Sequence, residues 1–155
     1  MEIERKYLIE NTEDLPENYQ SFPFCQMEQG YLCTSPVVRV RREDDLFYLT
    51  YKGKGLLARE EYNLPLTKEA YEHLLPKADG IILKKRRYKI PLSTQDSTLT
   101  IELDIFESPY QGLILAEVEF PTVEEANNFV PPAWFGRDVT FSGEYQNSKL
   151  STGRP

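Results

Sequence analysis

The feature that most constrains this chain is the alternation of charged and apolar residues along short stretches of sequence. In the opening stretch Glu2, Glu4 and Lys6 occupy every second position, and Ile3 and Tyr7 belong to the other set. Successive side chains of a β-strand point to opposite faces, so this spacing predicts a strand with one charged face. Taken alone, such a face is typical of a strand that turns its polar side to water. The spacing recurs in nearly every later strand candidate, however, and gives one shared face the residues Glu2, Glu4, Lys6, Arg39, Arg41, Lys52, Arg59, Glu61, Lys85, Arg87, Glu102, Asp104, Glu117 and Glu119.

The charges on this shared face are sorted by sign. Arg39 with Arg41 and Lys85 with Arg87 form basic pairs, whereas Glu102 with Asp104 and Glu117 with Glu119 form acidic pairs. A face that is merely solvated has no reason to sort its charges in this way. A sandwich is also disfavoured, because no strand candidate is fully apolar and could form its centre. About eight antiparallel strands with charged inner faces and apolar outer faces fit a closed barrel, whose interior holds side chains or one small ligand. We therefore predict an α+β, mainly β fold: an eight-stranded antiparallel closed barrel with a charged interior.

The remaining stretches predict a few covering helices within one domain. Thr67 is a capping residue for a helix over residues 68–75, which Pro76 ends. Thr122 and Glu125 form a capping box for a helix that ends at Pro131. With 155 residues, of which 40% are hydrophobic, residues 1–155 are predicted to form a single domain with its own core.

Composition argues against several classes of function. The chain has 18 basic and 25 acidic residues, a net charge of −7, and therefore no overall positive field to attract nucleic acid or an anionic membrane. No segment approaches the ~20 apolar residues of a membrane helix. The only histidine is His73, so zinc ligands are scarce. Because no apolar signal segment opens the chain, Cys25 and Cys33 are predicted to be free thiols in a cytoplasmic protein.

A cavity with a basic side and an acidic side restricts the chemistry of its ligand. Buried charges that lack a counter-charge cost several kcal/mol per ion, so both sides need one when the ligand is bound. Clustered arginines and lysines bind phosphate through charge-assisted hydrogen bonds. Clustered carboxylates without histidine suit a hard divalent cation such as Mg²⁺ or Mn²⁺. A polyphosphate chelated to that cation satisfies both sides, which predicts a small-molecule ligand.

An ordered series of motifs runs through almost the whole chain. It consists of Glu2-x-Glu4-x-Lys6, Arg39-x-Arg41, Lys52, Arg59-x-Glu61, Lys85-x-Arg87-Tyr88, Glu102-x-Asp104, Glu117-x-Glu119 and Tyr145-x-Asn147-x-x-Leu150. The series resembles the CYTH family of triphosphate tunnel metalloenzymes, and the chain most resembles its small bacterial inorganic triphosphatases. The resemblance implies an eight-stranded tunnel and metal-dependent hydrolysis of a triphosphate, with tripolyphosphate giving pyrophosphate and phosphate.

The resemblance also implies roles for individual residues. Phosphate oxygens are expected to be bound by Lys6, Arg39, Arg41, Lys52, Arg59 and Arg87. One or two Mg²⁺ or Mn²⁺ ions are expected on Glu2, Glu4, Asp104, Glu117 and Glu119. Lys85 beside Tyr31 is a candidate catalytic pair, since a nearby ammonium favours the phenolate. Glu61 and Glu102 are expected to orient neighbouring bases. In the run of bases from 84 to 87 either alternate pair can face inward, and the resemblance favours Lys85 and Arg87.

Three functions compete at this point. The favoured one is inorganic triphosphatase. A class IV adenylate cyclase or a thiamine triphosphatase is the enzymatic alternative, and the cyclase would need a pocket for adenine that no sequence feature supplies. A non-enzymatic polyphosphate sensor is the third, but it would not need so many carboxylates. The predicted partners are a small-molecule triphosphate, with neither nucleic acid nor membrane, for a monomer or homodimer.

Overall fold

The computed structural model describes residues 1–93 and 98–153 and contains one antiparallel sheet of nine strands. Residues 94–97 and the last two residues of the predicted domain lie outside the described part. The strands are β1 (Glu2–Leu8), β2 (Phe24–Thr34), β3 (Val37–Glu43), β4 (Leu46–Lys52), β5 (Ala58–Arg59), β6 (Glu61–Pro65), β7 (Asp79–Ser93), β8 (Thr98–Phe106) and β9 (Ile114–Glu119). The α-helices are α1 (Lys68–Leu74), α2 (Val123–Asn127) and α3 (Asn147–Leu150), and 3-10 turns cover Thr12–Asp14, Tyr19–Ser21 and Leu75–Lys77.

The order of the strands makes the sheet an almost closed barrel. Neighbours follow the order β5-β1-β9-β8-β7-β2-β3-β4-β6, and every pair is antiparallel. The two edge strands, β5 and β6, are separated along the chain by Glu60 alone. The chain itself therefore joins the two edges of the sheet, and the strand β3 lies across the barrel from β9.

The prediction of eight strands is corrected to nine, because the strand expected from Arg59 onward is broken at Glu60. Arg59 pairs with Glu2 of β1, whereas Glu61 pairs with Lys52 of β4. At Glu60, between them, the chain therefore leaves its pairing with β1 and begins its pairing with β4. The carbonyl of Glu60 accepts a hydrogen bond from the amide of Gly53 at 3.0 Å, in the loop that follows β4. The break is thus the corner at which the barrel closes.

The distribution of side chains confirms the prediction of a charged interior and an apolar exterior. Lys6, Arg39 and Asp104 are buried on the inner face, while Tyr7 and Leu103 are buried on the outer face. The main core lies outside the barrel wall, between β1, β7, β8 and β9 and the segments that cover them. Full burial of one Leu, Ile, Val or Phe side chain stabilises the folded state by roughly 1.5–3 kcal/mol. Because this outer core supplies the hydrophobic stabilisation, the interior of the barrel can hold polar groups.

The two predicted helix caps are present, and the helices are shorter than predicted. The hydroxyl of Thr67 accepts from the amide of Ala70 at 3.1 Å, and that of Thr122 accepts from the amide of Glu125 at 3.1 Å. The helix α1 ends at Leu74 and passes into the 3-10 turn that contains Pro76. The helix α2 ends at Asn127, before the predicted Pro131, because Phe129 packs against Phe120 with 5.0 Å between ring centroids.

The C-terminal segment holds α3 at one end of the barrel. The amide of Leu8 donates to the carbonyl of Arg137 at 2.8 Å, and the amide of Ile81 donates to the carbonyl of Ser151 at 2.7 Å. These bonds attach the segment to β1 and β7. Among the described residues, none of the helices has the length and apolar character needed to cross a membrane. Cys25 and Cys33 are both free thiols.

Candidate functional site

A cavity of about 340 Å³ runs inside the barrel, and we call it the tunnel. The tunnel is lined by Glu2, Glu4, Lys6, Tyr31, Val37, Arg39, Arg41, Glu43, Tyr48, Thr50, Lys52, Arg59, Glu61, Asn63, Arg87, Glu102, Glu117, Glu119, Asn147 and Ser148. All the site residues predicted from the sequence are in this lining except Lys85 and Asp104. The register of β7 also settles which of its bases face inward, because Lys85 and Arg87 are buried whereas Lys84 and Arg86 are exposed.

One wall of the tunnel, formed by Arg39 and Arg41 on β3, carries positive charge in excess; we call it the basic wall. Arg39 is 4% exposed, donates to the hydroxyl of Thr50 at 3.3 Å and leaves its Nε without a partner among the described residues. Arg41 lies 3.4 Å from Glu43. Burial and the neighbouring Arg39 lower the pKa of Arg41 to about 10. An anion in the tunnel would relieve this repulsion.

The opposite wall, formed by Glu2, Glu4, Glu117 and Glu119 on β1 and β9, carries negative charge in excess; we call it the acidic wall. Glu4 and Glu119 are direct cross-strand partners, an arrangement that is unfavourable for like charges. Burial and the charge of Glu117 raise the pKa of Glu4. Partial burial and the charge of Glu2 raise the pKa of Glu119. A cation held between these side chains would favour their ionised forms.

Glu2 and Glu61 share the bases at the edge of the acidic wall. The Nζ of Lys52 lies 3.1 Å from Glu2 and 3.4 Å from Glu61, and the Nε of Arg59 lies 3.6 Å from Glu2. Burial and the charge of Glu4 raise the pKa of Glu2 to about 7. Burial also acts to raise the pKa of Glu61, but a hydrogen bond with Glu2 and the charge of Lys52 lower it to about 2. Glu2 is therefore the more readily protonated of the two carboxyls, and Glu61 is ionised at neutral pH.

A buried network of ion pairs on β7 and β8 adjoins the acidic wall, since Arg87 Nη2 lies 3.4 Å from Glu117. Both oxygens of Asp104 are engaged: Lys85 Nζ lies 2.8 Å from Oδ2 and Arg87 Nε lies 2.7 Å from Oδ1. Although burial opposes it, the charges of Arg87 and Lys85 lower the pKa of Asp104. Burial lowers the pKa of Lys85 to about 7, with Asp104 opposing the shift and Arg87 adding to it. Asp104 is thus placed as a counter-charge for two bases.

The acidic side chains Glu102 and Glu117 extend this network into the tunnel. Arg87 Nη1 donates to Glu102 at 2.8 Å, and the orienting role of Glu102 stays a prediction. Glu117 lies 3.4 Å from Arg87 and 3.3 Å from Lys6. Against the effect of burial, these two bases hold the pKa of Glu117 well below its ordinary value. Glu117 is therefore an ionised carboxylate at neutral pH.

Within the described residues, the hydrogen bonds of the predicted catalytic pair, Lys85 and Tyr31, go to other partners. The ammonium of Lys85 contacts Asp104 and lies 3.3 Å from the side-chain oxygen of Asn147. The hydroxyl of Tyr31 instead accepts a hydrogen bond from the Nε2 of Gln29 at 3.0 Å. Tyr31 lines the tunnel and Lys85, which is fully buried, does not.

Several lining residues were absent from the prediction, and the strand period contains the signal for most of them. Tyr48 and Thr50 share a strand face with Lys52, and Asn63 shares one with Glu61. These three uncharged residues were missed because charged side chains were followed along each face. Glu43, which shares a face with Arg41, is the last residue of β3 and was also missed. Asn147 and Ser148 lie on α3, where strand alternation carries no information.

The acidic wall fits a hard divalent cation by the chemistry of its donors. All four side chains are carboxylates, and like charges face each other across β1 and β9. Among residues 1–93 and 98–153, no three carboxylate, imidazole or thiol groups converge into a complete metal site. Mg²⁺ usually keeps several waters and is held by one or two carboxylates together with substrate phosphates. The residues present therefore fit a cation that arrives with its phosphate ligand.

Several known proteins are similar to this chain over nearly its full length. A family model described as CYTH domain matches residues 1–152. An inorganic triphosphatase of Nitrosomonas europaea is 36% identical over 159 residues, which cover 99% of each chain. An inorganic triphosphatase of Acetivibrio thermocellus is 36% identical over 155 residues, covering 96% of this chain and 92% of the relative. A crystal structure of an inorganic triphosphatase matches 100% of this chain and 97% of its own, with a TM-score of 0.70 at 32% identity.

Proposed function

Because this chain belongs to the CYTH domain family, we propose that it hydrolyses inorganic tripolyphosphate to pyrophosphate and phosphate inside the tunnel. The observation that carries the proposal is the placement of a basic wall and an acidic wall on opposite sides of one cavity. A polyphosphate that carries a divalent cation supplies a counter-charge to both walls. The two relatives that match this chain over nearly their full length are inorganic triphosphatases, which supports the same reaction.

The basic residues bind and orient the substrate in this proposal. Arg39 and Arg41 take phosphate oxygens at the basic wall, and Lys6, Lys52, Arg59 and Arg87 contact the rest of the chain of phosphates. Phosphoryl transfer requires mainly positioning and neutralisation of charge, both of which rigidly held bases provide. The buried network around Asp104 holds Arg87 in place through two hydrogen bonds, at 2.7 and 2.9 Å.

The acidic wall holds Mg²⁺ or Mn²⁺ in this proposal, through Glu2, Glu4, Glu117 and Glu119. A bound divalent cation supplies Lewis-acid neutralisation of phosphate oxygens. Asp104, the fifth predicted ligand, stays a prediction; it would have to leave Lys85 and Arg87 to reach a cation. Ionisation of Glu2 on cation binding releases its proton, since carboxylate ligands bind metal in the deprotonated form.

The test is to incubate purified protein with Mg²⁺ or Mn²⁺ and tripolyphosphate, ATP or thiamine triphosphate, and to measure phosphate, pyrophosphate and cyclic AMP. We expect one phosphate and one pyrophosphate per tripolyphosphate, and no release in EDTA. Cyclic AMP formed from ATP without phosphate release would replace the triphosphatase by a cyclase. Tight binding of tripolyphosphate without any product would replace it by a polyphosphate sensor.

A matched pair of variants distinguishes the effect of a base inside the tunnel from that of a base on the outer surface. Arg87→Gln changes a base that lines the tunnel, while Arg86→Gln changes its exposed neighbour on the same strand. We expect Arg87→Gln to lower kcat/KM for tripolyphosphate and Arg86→Gln to retain the wild-type value. Equal effects of the two substitutions would contradict the assignment of the tunnel as the active site.

A further inference from the structure

Gln29 is a fully buried amide between Arg41, which was predicted to bind phosphate, and Tyr31, which was predicted to belong to a catalytic pair. It lies on β2, directly opposite Arg41 of β3, and it is 0% exposed. Its Oε1 accepts a hydrogen bond from Arg41 Nε at 2.9 Å, and its Nε2 donates to the hydroxyl of Tyr31 at 3.0 Å. Gln29 therefore connects Arg41 to Tyr31 through one rigid amide.

The chemistry of these three groups determines the direction of the hydroxyl proton of Tyr31. A guanidinium has no acceptor, so the end of the amide that meets Arg41 must be the oxygen. The nitrogen end then faces Tyr31, and an amide nitrogen can only donate. The oxygen of Tyr31 is thus the acceptor, and its own proton points elsewhere. In the part of the chain that the structure describes, no side chain or backbone oxygen accepts that proton, while Tyr31 itself lines the tunnel.

We infer that Gln29 is a positioning residue, and that it turns the Tyr31 hydroxyl to donate a hydrogen bond to a phosphoryl oxygen of the bound triphosphate. The inference rests on the proposed function and deepens it. Tyr31 is the cross-strand partner of Arg39, so the phosphoryl group that meets Tyr31 is the one held at the basic wall. The donor is neutral and directional, and it complements the two arginines by fixing the orientation of that group.

This arrangement assigns Tyr31 a different task from that of a phenolate base paired with Lys85. The hydroxyl donates a hydrogen bond to the ligand, and no covalent bond is formed or broken there. The bulge in β2 supports this geometry, since the pairing of β2 with β7 shifts register between Gln29 and Tyr31. Bulges commonly redirect side chains next to active sites.

The test is a double-mutant cycle that measures kcat and KM for tripolyphosphate. Tyr31→Phe removes only the hydroxyl. Gln29→Glu keeps the shape and the acceptor for Arg41 but makes Tyr31 donate to the new carboxylate, away from the ligand. We expect each single variant to lower kcat/KM by about 10- to 100-fold, the range for a hydrogen bond to a charged group. In the Tyr31→Phe background, Gln29→Glu should cost only about threefold more, because the proton that it redirects is already gone.

Two further variants separate positioning from added charge and from misfolding. Asn63→Asp adds a carboxylate to the tunnel without a contact to Tyr31, so its effect should be the same in the wild-type and Tyr31→Phe backgrounds. Gln29→Met removes the amide without adding charge, and its effect should also shrink in the Tyr31→Phe background. Thermal melting of every variant identifies any loss that comes from unfolding.

The outcomes distinguish this inference from the proposed function. Wild-type activity in Tyr31→Phe, or additive effects of the Gln29 and Tyr31 substitutions, overturns the inference and leaves triphosphatase activity intact. A wild-type protein that releases no phosphate overturns the proposed function; the same cycle is then measured as the Kd for tripolyphosphate by calorimetry. A coupled loss of affinity there supports the hydrogen bond, and unchanged affinity overturns it.

Discussion

Arg39 is the clearest case of a residue whose surroundings are incomplete without a ligand. It is 4% exposed, and the only side-chain hydrogen bond that it donates within the described residues goes to the neutral hydroxyl of Thr50. We expect Arg39→Gln to raise KM for tripolyphosphate by about 10- to 100-fold, because a charge-assisted hydrogen bond to phosphate is lost. Phosphate release at varied substrate concentration measures the change.

The matched control is Arg42→Gln on the outer face of the same strand. Arg42 is exposed and its guanidinium lies 5.7 Å from the ring centroid of Phe47. Its removal should leave KM at the wild-type value. A similar rise of KM in both variants would indicate a general effect of net charge and would remove the special role of Arg39.

Asp104 distinguishes a structural counter-charge from a metal ligand. Asp104→Asn leaves Lys85 and Arg87 buried without the carboxylate between them, which typically costs about 3–5 kcal/mol when one partner of a buried ion pair is removed. We expect a loss of this size in the free energy of unfolding, measured by urea denaturation in EDTA. Glu102→Gln removes a carboxylate that is 24% exposed and leaves Asp104 paired with Arg87, so we expect it to cost less than Asp104→Asn. Stability in EDTA that is unchanged by Asp104→Asn would indicate that Asp104 serves the cation instead.

At the scale of the element, Gly30 determines how closely the segment after α1 packs on β2. A Cβ added at Gly30 would lie 2.7 Å from the Cβ of Ala78 and 2.8 Å from the Cδ1 of Ile82. Gly30→Ala must therefore push the 3-10 turn Leu75–Lys77 and β7 away from β2, and overpacking of this kind typically costs about 1–3 kcal/mol. Denaturant unfolding measures the loss. Gly53→Ala is the control, because its added Cβ would meet its nearest atom at 3.5 Å; equal losses would contradict the packing argument.

The elements also show which parts of the fold were predictable from sequence. Strand alternation identified the inner face of almost every strand, because burying one face of a closed sheet imposes a period of two on its side chains. The break at Glu60 was not predictable, since it depends on the different neighbours of Arg59 and Glu61. The end of α2 was missed because the packing of Phe129, a tertiary contact, acts before Pro131 is reached.

Prediction of the site from sequence is likewise limited by contacts between residues that are distant in the chain. Charges at alternate positions located the tunnel lining, but partners across strands decide what each charge does. Asp104 and Glu119 have equivalent places in their motifs, yet Asp104 is enclosed by two bases while Glu119 is exposed at the tunnel mouth. Gln29 carries no charge, and its hydrogen bond with Arg41 depends on the register of β2 with β3. These pairings follow from the closed barrel as a whole.

At the scale of the whole molecule, the stability of the metal-free protein should depend on pH through the acidic wall. The pKa of Glu2 is about 7 in the folded protein, above the ordinary value of 4.5, because of burial and the charge of Glu4. A carboxyl whose pKa is raised on folding stabilises the folded state below pH 4.5, and this contribution is lost as the pH rises through 7. In EDTA, the free energy of unfolding of the wild type should therefore fall relative to that of Glu2→Gln between pH 4.5 and 7, by about 1–3 kcal/mol.

Adding Mg²⁺ at pH 8 connects this pH dependence to the proposed cation site. A cation that binds only the folded state stabilises it by mass action, so the wild type should recover stability at pH 8 and Glu2→Gln should recover less. Glu124→Gln, which changes an exposed carboxylate on α2, should follow the wild type in both experiments. Urea denaturation at each pH, with and without Mg²⁺, measures all three proteins. If Glu2→Gln and the wild type keep a constant difference in EDTA, the proton is not held on Glu2; if Mg²⁺ stabilises them equally, Glu2 is not a ligand.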